Sequence, residues 1–180
     1  IDVSKYTGTI GSTTVQVGTL GGTYTGSGGY VSQAQLIGFV PGNGGFFGTV
    51  TGTVQDLAIR CGDITMGSAD SAGVVTGINQ GTISNVDLVL EDVTINANSN
   101  AGLLAGKNTG TIDGCDVSAN AVILKATNAG GLAGSTKDGT VTGCTVTINT
   151  LTAQNATYAG GFVGQAENTA FEIVTANIGT

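Results

Sequence analysis

Ala72-Gly-Val-Val-Thr-Gly-Ile-Asn-Gln-Gly-Thr-Ile-Ser-Asn-Val86 decides the architecture, because the chain repeats it. Its opening phrase recurs as Asn43-Gly-Gly-Phe-Phe-Gly48, Ala101-Gly-Leu-Leu-Ala-Gly106, Ala129-Gly-Gly-Leu-Ala-Gly134 and Ala159-Gly-Gly-Phe-Val-Gly164. The last Gly steps by 29, 29, 28 and 30 residues. A second phrase follows, as Gly52-Thr-Val54, Gly81-Thr-Ile83, Gly110-Thr-Ile112 and Gly139-Thr-Val141, and decays to Asn168-Thr-Ala-Phe171 in the last copy. A fixed period of about 20–50 residues marks units that cannot bury an apolar face alone and so stack on one another.

Working outward from the phrase, each copy continues with strict alternation. Leu57, Ile59 and Cys61 are followed one period later by Val86, Leu88 and Leu90, then by Cys115, Val117 and Ala119, then by Cys144, Val146 and Ile148. Period-2 alternation is a strand with one buried face. The leading column is expected to run on to Ile173, and a Thr column to run through Thr53, Thr82, Thr111, Thr140 and Thr169 at 29-residue steps. The intervening Arg60, Asp87, Asp116, Ser118 and Thr145 face solvent. Stacking puts each strand beside its equivalent. The fold class is therefore all-β: a parallel β-solenoid (β-helix) of about five to six coils, right-handed because parallel crossovers are. A β-sandwich would also need many short strands, but it has no use for a constant period. Residues 41–180 form the repeat coils. Residues 1–40 form strands of a cap or a first irregular coil, continuous with them in one domain.

Composition agrees. The 180 residues include 32 Gly and one Pro, are 40% hydrophobic and only 9% charged. Thr and Val abound while helix formers are scarce, a strand-and-turn composition. No apolar run approaches the ~20 residues of a membrane-spanning helix, so membrane insertion is not expected. The net charge is −7, and the five basic residues are scattered. Nucleic-acid binding needs clustered positive charge and is not expected. The chain opens at Ile1 rather than Met, as a processed product or an excised piece would.

The Gly-rich phrase, the Asn that follows it (Asn79, Asn108) and the Gly-Thr-Ile phrase together resemble the GLUG-type repeats of large bacterial surface proteins. The segment Gly22-Thr-Tyr-Thr-Gly-Ser-Gly-Gly-Tyr30 resembles the lead-in often found upstream of such repeats. The resemblance covers about residues 20–175. It implies a secreted or surface-displayed β-solenoid, part of an adhesin-like or protease-associated protein, with no catalytic residues to carry over. Cys in the core column and the decayed fifth copy depart from the pattern.

Chemistry-bearing residues are few. With no His, Ser-His-Asp and Cys-His catalysis and His-ligated zinc are excluded. Cys115 and Cys144 share a core column on adjacent coils, with Cα atoms at disulfide range; the alternatives are a bridge or two small buried thiols. Cys61 is expected as an inert core thiol. Asp63 and Asp92 lie one period apart, as do Asp87 and Asp116. Stacked carboxylates repel unless neutralised, so these four are calcium candidates, an outer carboxylate face for a polysaccharide-active enzyme, or plain solvated surface. No catalytic residue and no resident cofactor is expected. Asn155-Ala-Thr157 is a glycosylation sequon, and Asn79 and Asn108 are expected to stack at corners.

The expected function is that of an extracellular or cell-surface structural, adhesive segment contacting host or matrix molecules. Its contacts would come from lateral faces and from loops at residues 95–100 and 124–128. The alternative is a self-assembling subunit of an extracellular filament, stacking copies end to end, in which residues 1–17 could complete a neighbour's sheet.

Overall fold

The computed structural model describes the backbone of Thr9–Ile10, Thr13–Thr14, Thr19–Leu20, Thr23–Thr25 and Ala34–Ile37, then Pro41, Gly42 and residues 44–179. Most of the lead-in through Tyr30 (all but Thr23–Thr25), most of the expected 1–40 cap, and Asn43 lie outside the described residues. No helix occurs among the described residues, and none could therefore cross a membrane.

The fold is a parallel β-solenoid of about five turns. Its coils close one above another because each strand pairs in parallel with its equivalent about 29 residues on. Thr53–Cys61 and Ile64–Ala72 of one coil lie along the single long strand Thr82–Gly102 of the next. That strand pairs in turn with Asp116–Lys125, and Asp116–Lys125 with Thr145–Gln154. A second, six-stranded sheet stacks Thr19–Leu20, Phe47–Val50, Thr76–Asn79, Ala105–Asn108, Ala133–Lys137 and Val163–Glu167. On the amino-terminal side Thr23–Thr25 and Ala34–Ile37 both lie parallel on Thr53–Cys61. Thr9–Ile10 and Thr13–Thr14 form a separate antiparallel pair.

The inward columns are those the alternation predicts. Leu57, Val86, Cys115 and Cys144 are buried, as are Ile59, Leu88, Val117 and Val146. Val74, Val75, Leu103, Leu104 and Leu132 plug the core from the Gly-rich phrase.

The two sheets meet where each Gly-rich phrase reverses the chain. At Gly106 a Cβ would fall 2.4 Å from the backbone N of Ala72, and at Gly134 it would fall 2.5 Å from that of Ala101. Glycine recurs at this column because two backbones touch there and leave no room for a side chain.

The corner between the two phrases' strands uses left-handed backbone at one column. Asp56, Asn85, Gly114, Gly143 and Ile173 have φ of 54°, 51°, 59°, 59° and 51°. Asp, Asn and Gly suit that conformation. Ile173 does not, and its presence corrects the expected register. Gln154 pairs with Lys125 at a step of 29, but Tyr158 pairs with Asn128 at 30. One extra residue has entered at the corner that carries Asn155, and everything after it shifts. Thr175 stands beside Thr145 and Ala170 beside Thr140. Thus Thr169 leaves the Thr column and Ile173 leaves the core column. Ile173 is 83% exposed, and Val174 takes the inward place.

Residues 95–100, expected as a loop, belong to the strand Thr82–Gly102, and 124–125 to Asp116–Lys125. Register shifts between Ile95 and Ala97 and between Ala97 and Asn100 absorb the bend within the strand.

Candidate functional site: a polar groove beside the glycine column

The reversal at each Gly-rich phrase brings two polar columns face to face. One wall holds Ser71, Asn100 and Asn128 in register on three coils. The other holds Lys107, Ser135 and Gln165, with the apolar Ile78 one coil before them. Between them lies a cleft of about 210 Å³, bordered also by Thr136 and by the Lys137–Glu167 ion pair. That pair is 2.8 Å apart and exposed on both sides. Glu167 hydrogen-bonds the Lys137 ammonium and attracts its charge, which raises the Lys137 pKa.

The wall at Asn128 is a hydrogen-bonded ladder. Asn128 Nδ2 donates to Asn100 Oδ1 at 2.8 Å, and Asn100 Nδ2 donates to Ser71 Oγ at 2.9 Å. The ladder's last acceptor, Asn128 Oδ1, is buried and has no hydrogen-bond partner. A buried acceptor left unpaired is costly and calls for an explanation.

The residues singled out from sequence are distributed elsewhere. Asp87 and Asp116 are in register on adjacent coils. Asp87 Oδ2 accepts from Arg60 at 2.8 Å, an exposed ion pair that relieves the stacked carboxylates. Asp63 and Asp92 are exposed on another face, with Asn120 donating to Asp92 at 2.9 Å. Among the described residues no three His, Cys, Asp or Glu side chains converge as a metal-ligand group. Asn155 is exposed at its corner with φ of 60°.

Cys115 and Cys144 do share a buried column, but the bridge considered for them is not formed; no disulfide joins any two of the three cysteines. In-register parallel neighbours project their side chains the same way rather than toward each other. Each thiol turns to a backbone carbonyl: Cys144 Sγ donates to Thr142 at 3.0 Å and Cys115 Sγ to Asp113 at 3.4 Å. The hydrogen bond with Cys144, together with burial, pushes the Cys115 thiol well up, and the same contact draws Cys144 down.

Sequence reasoning missed the groove. Its only signal was that residues 100 and 128 precede the Gly-rich phrase while 107 and 135 follow it. No protein-family model, curated protein or solved structure matches this chain.

Proposed function

We propose that this chain is a non-enzymatic, extracellular β-solenoid segment that presents a rigid surface to a host or matrix molecule. The observation that carries this reading is the contrast between inside and outside. Apolar columns and buried amide ladders bind successive coils together along the axis. The outward rows change residue type from coil to coil and are mostly polar, as in the row Ala58, Asp87, Asp116 and Thr145. A body so tied holds its shape while its surface is left to contact partners. The GLUG-like phrase supports the same reading.

The test is adhesion. Beads coated with the chain should hold to a matrix-coated or cell-coated surface under flow. Retention no better than that of beads coated with an unrelated acidic β-protein would remove the reading.

End-to-end association of copies is a second reading. It is favoured by the apolar side chains exposed on the last coil, with Tyr158 at 48%, Phe171 at 41% and Ile178 at 38%. Sedimentation across a wide concentration range tests it: elongating species support it, and a constant monomer mass removes it.

A further inference from the structure

We propose that the groove between Asn128 and Lys107 binds an acidic saccharide unit, with Lys107 taking its carboxylate. The proposal rests on the adhesive reading above and names the chemistry of its partner.

Charge is the first argument. The chain carries −7 and only five basic residues, yet Lys107 and Lys137 both border this one cleft. The single acid in the lining, Glu167, is already tied to Lys137. Lys107 has no hydrogen bond or ion pair among the described residues. An anion repelled by most of this surface is therefore admitted here.

Hydrogen bonding is the second. Ser135 and Gln165 present a hydroxyl and an amide along the walls, while the Asn100 amide is taken up by Asn128 and Ser71. Asn128 lines the cleft, and its Oδ1 lacks a donor. Paired donors and acceptors of this kind match vicinal hydroxyls, and a lone ammonium matches one carboxylate. An inorganic anion would use Lys107 and leave the amides idle.

Size is the third. About 210 Å³ is below the roughly 300–1,000 Å³ typical of sites for drug-sized ligands, which suits one sugar unit of a longer chain.

The test is calorimetric titration with galacturonic-acid and glucuronic-acid trisaccharides against the neutral galactose trisaccharide. An acidic trisaccharide should bind at least about tenfold more tightly than the neutral one, and added salt should weaken it. Lys107→Gln should lose about tenfold or more in affinity with an unchanged melting temperature, while Lys107→Arg should retain binding. Should Lys107→Gln fail to fold, Gln165→Ala serves in its place, with a smaller loss expected. Equal binding of acidic and neutral sugars, no binding of either acid, or full affinity in both variants overturns the proposal. Adhesion that persists while the groove proposal fails leaves the adhesive reading standing alone; loss of both removes both.

Discussion

Asn79 donates its side-chain amide to Oδ1 of Asn108, one coil away, at 2.7 Å and wholly inside the core. Asn108 passes the pattern on to Thr136 Oγ1 at 3.2 Å. The amide N–H groups of this ladder point toward the carboxy-terminal coils. Those of Asn128 and Asn100 point toward the amino-terminal ones. Two amide ladders of opposite sense thus run along the solenoid, each tying three coils, the first inside the core and the second along the wall of the groove. In the low-dielectric interior, the satisfied bonds of the Asn79–Asn108 ladder strongly favour one register.

The first prediction concerns that register. Asn108 Oδ1 also accepts from the Gly110 backbone, so Asn108→Ala removes the acceptor for two donors and unpairs Thr136 in part. The loss should be about 2–3 kcal/mol, read as a lower urea midpoint at unchanged slope. Thr109→Ala, at the adjoining half-exposed position, gives up only the hydroxyl's 3.2 Å bond to the Asn79 carbonyl and should cost no more than about 1 kcal/mol. Equal effects at both positions would show that the ladder carries no special weight.

Glycine 106 should tolerate no side chain. Its missing Cβ would sit against backbone on two sides, Ala72 and Gly77, neither of which can swing away. Gly106→Ala should cost more than about 3 kcal/mol through backbone displacement. Gly62→Ala has open space for 4 Å and should be neutral or stabilising by up to about 1 kcal/mol. Thermal melts of the pair decide it, and comparable melting temperatures would contradict the close approach of the two sheets.

Ile173 should be better replaced. A β-branched residue in left-handed backbone is strained, and at 83% exposure its side chain gains little burial in return. Ile173→Asn restores the residue type that Asn85 provides at the same corner, and should gain about 1 kcal/mol locally. Hydrogen exchange at Thr175–Ile178 is the measurement, since the last coil can open without the rest. Faster exchange in the variant would refute the assigned register.

The cysteines should count as three. In denaturant a thiol reagent should titrate Cys61, Cys115 and Cys144, whereas a bridge would leave only Cys61. In the folded chain all three should react slowly, because they are buried and Cys115 is held protonated. A count of one would restore the disulfide.

Most of the fold was legible in the sequence. The alternation of Leu57, Ile59 and Cys61, copied one period on, states both which face is buried and which strand lies beside which. The columns failed only where counting replaced pairing. Thr169 and Ile173 keep the numerical period, but the extra residue beside Asn155 displaces them, and only strand register reveals it. The groove was not legible at all, because Asn100 and Lys107 become opposite walls only when the chain reverses between them.

The repeat alone thus determined the parallel stack, the identity of its inward columns and the stacking of Asn79 on Asn108, because a strand's two faces and its neighbour one period away are local, periodic properties. Tertiary structure decided which polar columns face one another, which way each amide ladder points and where its open acceptor falls. Those depend on how closely two sheets approach. That distance is set by the absence of side chains at Gly106 and Gly134, which a sequence records only as another glycine.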